Sequence, residues 1–164
     1  PKAEHIAKDI VRVANNLGLP SPAILANLIN FETNSSFNPS IQNEIGATGL
    51  IQFIKPTAKK LGTTTSALKS LSGPEQMKYV EKYFKMVMKD AGTSKLSKPA
   101  DIYMAVFFPR AIGRGSNYSI YDYYVKLKGK EWADTRYLKP NAGIKTAGEY
   151  VAFANRRAKM PVSV

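Results

Sequence analysis

The chain has 164 residues, 44% of them hydrophobic and 22% charged, enough for one domain with its own core. Its formal net charge of +12, with Lys and Arg outnumbering Asp and Glu 24 to 12, calls for an anionic partner: nucleic acid, membrane surface or bacterial cell wall. No cysteine is present and the single histidine, His5, lies near a terminus and reads as a surface residue, so disulfides, thiolate metal sites, Ser-His-Asp triads and multi-histidine metal sites drop out and carboxylate chemistry remains.

In chain order, the start and stop signals read as helices. A first helix spans about residues 3–17, with Ile6, Ile10, Val13 and Leu17 at three- and four-residue steps and Gly18 closing it. Ser21 then caps a second helix, Pro22 takes its first position, and Glu32 falls near its C-terminal end. Residues 33–52 read as an extended loop punctuated by Pro39 and Gly46, with room for a small two-stranded element. Short helices over Pro56 to Leu61 and Ser66 to Leu71 follow, then a longer one over 74–91 that Gly92 ends. Its apolar face uses Met77, Val80, Phe84, Val87 and Met88, while Lys78, Lys82, Lys85 and Lys89 read as a solvated stripe.

Ser97-Lys98-Pro99 opens a further helix through Phe107, broken by Pro109, Gly113 and Gly115. A tyrosine-rich stretch over 118–137 reads first as hydrophobic packing and second as a stacking surface for sugars. A final helix runs from about Thr146 to Lys159. The fold class is therefore mostly α, with residues 1–164 as one domain. No apolar run approaches the roughly 20 residues that span a bilayer, so no transmembrane segment is expected. The opening Pro1-Lys2-Ala3-Glu4-His5 shows no signal peptide, and a Pro start fits a processed product or a piece excised from a longer protein.

One residue breaks the apolar pattern. Ile24, Leu25, Leu28 and Ile29 face one side of the second helix, and Glu32 continues that side four residues beyond Leu28. A buried carboxylate is costly unless it is paired or neutralised by a raised pKa, and a raised pKa is what a general acid near neutrality requires.

The segment from Phe31-Glu32 through Phe37-Asn38-Pro39, then Gly46-Ala47-Thr48-Gly49-Leu50-Ile51-Gln52, then Pro56-Thr57-Ala58, resembles the lytic transglycosylases, lysozyme-like enzymes that cleave peptidoglycan. Pro74-Glu75-Gln76 to Tyr83-Phe84 and the stretch Tyr103 to Pro109 resemble the phage-type branch of that family. The resemblance implies a mostly α, lysozyme-like fold related to goose-type lysozyme. It implies that Glu32 protonates the glycosidic oxygen between N-acetylmuramic acid and N-acetylglucosamine. The sugar's acetamido group then stabilises the cationic centre, and Glu32 deprotonates the muramic 6-hydroxyl, giving a 1,6-anhydro end with no cofactor or metal. It further implies that Tyr150, in Glu149-Tyr150-Val151, hydrogen-bonds the glutamate; the alternative is a core tyrosine. Gln52 reads as a substrate contact or a loop brace. Asn43, where many members carry serine, reads as a sugar contact or an Asx turn. Glu44 reads as solvated.

Two further departures stand out. Two extra residues separate Glu32 from Phe37, and the family's Ala-Tyr-Asn-Ala-Gly element is replaced by Ala105-Val106-Phe107-Phe108-Pro109. The expectation is a monomeric, cell-wall-directed lysin of phage type, a soluble endolysin or a virion tail domain, whose partner is the glycan strand of peptidoglycan and whose basic surface meets anionic envelope polymers. The alternatives are a hydrolytic muramidase, a basic nucleic-acid-binding helical domain and a noncatalytic wall-binding module. No recognition-helix or RNA-binding motif supports the nucleic-acid reading.

Overall fold

The computed structural model describes residues 3–157, and they form a mostly α protein. A 3-10 turn, Glu4–Ile6, leads into α1 (Ala7–Asn16), so the continuous helix expected over 3–17 is divided where Ile6 leaves helical geometry. Then come α2 (Pro22–Glu32), α3 (Lys55–Lys60), α4 (Thr65–Lys69), α5 (Gly73–Ala91) and α6 (Pro99–Phe107). A 3-10 turn, Pro109–Ala111, precedes α7 (Ile120–Lys128). The short α8 (Lys130–Trp132) runs into a π-helical turn, Ala133–Leu138, and α9 (Ala147–Arg157) follows. The expected end of the last helix at Lys159 lies outside the described residues.

Local chemistry accounts for the helix ends. The Ser21 hydroxyl accepts the Ala23 N–H at 3.1 Å ahead of Pro22, and Ser72 and Glu75 form a reciprocal capping box at the start of α5. Gly92, at φ +72°, ends α5 as the Thr93 N–H reaches back to the Met88 carbonyl. The region left without elements in the sequence, 118–137, is largely helical. Its tyrosines are amphipathic and face several directions, so no single apolar stripe marks α7, and a π-helical turn has no 3.6-residue signature.

The two-stranded element allowed within 33–52 reduces to two isolated antiparallel bridges, Gln42–Thr48 and Thr48–Phe53. Thr48 is fully buried and takes part in both. Between Thr48 and Phe53 the chain turns through Gly49 at φ +85° and Gln52 at φ +57°. The turn is anchored from outside by Gln76, a fully buried side chain on α5. Its carbonyl accepts the Leu50 N–H at 2.7 Å, and its amide donates to the Pro39 and Leu68 carbonyls at 2.8 Å each. Gly49 is obligatory for two reasons: its φ, and the Gln76 Oε1 that a Cβ would meet at 2.3 Å.

One core joins α1, α2, α5, α6 and α9, with Leu25, Leu28, Met77, Phe84 and Ile102 among its fully buried side chains. α2 packs against α1, α6 and α9, and Phe31 near its C-terminal end meets Tyr150 and Phe153 of α9 edge-on. Replacing Gln76 by Leu strands the Leu50 N–H and the Leu68 carbonyl in the interior and takes the partner from the part-buried Pro39 carbonyl. Urea unfolding of Gln76→Leu should show a loss of about 3 kcal/mol or more, with the Leu50 amide among the first to lose hydrogen-exchange protection.

Candidate active site

Glu32 is the last residue of α2, an end whose unpaired carbonyls disfavour an anion. The side chain is half-buried and its carboxyl is surrounded by protein. Among the described residues no hydrogen bond or ion pair engages that carboxyl. Burial pushes its pKa from the ordinary 4.5 up to about 7. Two phenols lie within its electrostatic reach. Tyr83 from α5 donates to the Ala105 carbonyl at 2.6 Å, and burial followed by the Glu32 charge raises its pKa to about 12. Tyr150 from α9 is raised further, again chiefly by burial and then by Glu32.

Tyr150 stacks face to face on Phe107, with centroids 3.9 Å apart, and meets Phe31 edge-on. The hydrogen bond from Tyr150 to Glu32 that the resemblance implies is not formed in this structure; the two are neighbours, and Tyr150 is held by aromatic contacts. A Tyr103 hydroxyl to Asn155 Oδ1 bond at 3.0 Å braces α6 against α9 beside them.

The chain leaving Glu32 is bolted down at once. The buried Thr33 hydroxyl donates to the Ile29 carbonyl and accepts the Phe37 N–H, and Ser35 Oγ donates to Asn30 Oδ1. Asn34, Ser35 and Phe37 all have positive φ. The two extra residues before Phe37 are thus absorbed in a tight left-handed excursion, and Phe37 still reaches the core.

A groove of about 310 Å³ adjoins these residues, lined by Ile51, Gln52, Tyr83, Val106, Phe107 and Pro109 among others. Gln52 is half-buried. Its amide donates to the Gly49 carbonyl at 3.0 Å, which braces the turn, while its carbonyl oxygen has no protein partner among the described residues. The loop-bracing role expected of Gln52 is thus formed. Asn43 lies away from this groove's lining: its Oδ1 accepts the Ile45 and Ala47 N–H groups, an Asx-type brace on an exposed loop. Glu32 is not among the residues that line the groove; its link to it is Tyr83, a lining residue within electrostatic reach of the carboxyl.

Sequence reasoning missed Tyr83, Phe107 and Gln76. Gln76 and Tyr83 fall within the stretch Pro74 to Phe84, and Phe107 within Tyr103 to Pro109; both stretches carry only a resemblance to the phage-type branch, with no role assigned at the site. Glu44 is exposed, as expected. So are the lysines of the α5 stripe; among them Lys85 pairs with Glu81 at 3.2 Å, itself bound to Arg12 of α1 at 2.9 Å. His5 is exposed and bonds the Phe37 carbonyl through Nε2. The tyrosine-rich stretch packs against the core and contributes nothing to the lining of the groove.

The raised Glu32 pKa has a stability consequence. Between pH 4.5 and about 7 the native state holds more protons than the unfolded chain, so this group's contribution to stability falls as pH rises through that window. Glu32→Gln should match the parent near pH 4.5 and exceed it by ~1–3 kcal/mol above pH 7, read from urea unfolding across that range.

A family model described as the transglycosylase SLT domain matches residues 14–106, more than half of the chain. No curated protein and no solved structure matches it.

Proposed function

The chain belongs to the transglycosylase SLT domain family, whose members are lytic transglycosylases of cell-wall peptidoglycan, and from that premise we propose that Glu32 is its single catalytic acid and base. The observation that carries the reading is the Glu32 carboxyl itself, enclosed, unpaired and poised near neutrality within electrostatic reach of Tyr83, which lines a groove. Protonated Glu32 gives its proton to the glycosidic oxygen as the C1–O bond breaks. The acetamido oxygen of the muramic residue closes on C1 and holds the positive charge. The Glu32 carboxylate then takes the proton of the 6-hydroxyl, whose oxygen displaces the acetamido oxygen at C1. The products are a free 4-hydroxyl and a 1,6-anhydro ring, and Glu32 ends protonated as it began.

Burial serves each step. A low-dielectric surrounding keeps Glu32 protonated before cleavage and strengthens its attraction to the cationic intermediate afterwards. Gln52 offers its free carbonyl to a sugar N–H or hydroxyl. Asn43 offers its amide from the loop, and Tyr150 shapes the wall beside the acid. The Tyr103 to Pro109 stretch and the +12 charge support a phage-type lysin acting on the wall. One core reaching from Ile6 to Ala154 supports reading the chain as one domain.

Mass spectrometry of the muropeptides released from purified peptidoglycan tests the mechanism. Anhydro-muramyl ends are expected, and reducing muramic ends would make the enzyme a hydrolase. Glu32→Gln should reduce turnover by about a thousandfold or more while the protein still sediments with peptidoglycan. Because the acid must start protonated, kcat/KM of the parent should decline as pH rises through about 7.

A further inference from the structure

Pro109 lines two basins. One is the groove walled by Tyr83 and Phe107; the other, of about 400 Å³, is walled by Val87, Asp90, Arg110, Ile112 and Arg114. Its two arginines come from the turn after α6 and lie beyond the residues that the family model matches. They are held by aromatic faces rather than by carboxylates. The Arg110 guanidinium lies over the Tyr123 ring at 4.8 Å and that of Arg114 over Tyr118 at 5.4 Å. Arg114 Nε also donates to the Arg110 carbonyl at 2.9 Å. Phe108 in turn contacts both rings, stacked on Tyr118 and edge-on to Tyr123.

A guanidinium stacked on a ring keeps its in-plane N–H groups available, and two of them suit a carboxylate. Among the described residues neither arginine forms an ion pair, and Asp90, on the same basin, pairs with neither. The basin therefore presents two cations and one anion to whatever enters it, and its volume suits a short peptide rather than a single ion.

We infer that this basin receives the acidic peptide stem that hangs from the muramic residues of the glycan. Stem carboxylates meet Arg110 and Arg114, and Asp90 meets the amino group of a diamino residue. The inference rests on the peptidoglycan reading above. It follows from continuity: a strand seated in the groove must project its stems sideways, and Pro109 is shared between the groove and the charged basin. The sugar rings offer no carboxylate of their own beyond the short ether-linked acid from which the stem starts.

The test compares two preparations of one peptidoglycan, strands carrying their stems and strands stripped of them by an amidase. For Arg110→Ala combined with Arg114→Ala, the ratio of kcat/KM on stem-bearing strands to that on stripped strands should fall about tenfold, and less so as salt is raised. An unchanged ratio, whether both values fall together or neither falls, overturns the inference. Should the alanine pair unfold, Arg110→Gln with Arg114→Gln gives the same comparison. Cosedimentation of the Glu32→Gln protein, with and without the arginine changes, on both preparations decides the point without turnover. Loss of the preference for stem-bearing strands supports the basin even if the parent proves inactive, which would count against the proposed function alone.

Discussion

The site depends on a buried amide. Gln76 binds the backbone of three separated segments, at Pro39, Leu50 and Leu68, from a fully buried position on α5. Left unmade, the bonds to Leu50 and Leu68 would strand polar groups in the interior, so the glutamine defines where the loop between α2 and α3 must lie. The turn that carries Gln52 is consequently fixed against the same helix that supplies Tyr83. Gly49 follows from the same constraint, because the amide occupies the space where a side chain would begin. Loop, groove wall and helix thus form one unit, and the end of α2 is locked to it through Thr33 and Phe37.

Within that unit the electrostatics are simple. Among the described residues no cation or second acid pairs with the Glu32 carboxyl, and burial sets its protonation. Two phenols lie within its electrostatic reach, their own ionisation driven far above neutrality by burial. A site of this kind titrates as one group. That separates it from paired-carboxylate glycosidases, in which two acids divide the roles.

The C-terminal third is built differently. Phe108, Tyr118, Tyr123, Tyr124, Trp132 and Tyr137 make a chain of ring contacts that attaches α7 and the π-helical turn to the corner at Pro109. Cations lie over several of those rings: Arg110 over Tyr123, Arg114 over Tyr118 and Lys128 over Trp132. Part of the basic charge is therefore carried on a rigid aromatic support and not only on flexible solvated side chains such as Lys78 and Lys89.

The sequence by itself determined the helical class, most helix ends and the singularity of Glu32, because periodicity, caps and a misplaced carboxylate are local signals that need no partner. Ser21, Ser72 and Gly92 mark their boundaries through bonds spanning only a few residues, and Pro99 through its fixed φ at the first position of α6. It did not determine α7 and the π-helical turn, where amphipathic tyrosines blur the apolar stripe. Only the tertiary structure decided that Gln76 clamps the loop, that Tyr83 and Phe107 wall the groove, that Tyr150 is held by stacking, and that Arg110 and Arg114 share a basin. Those are relations between residues far apart in the chain, and their energies come from desolvation and contact that exist only once the helices have packed.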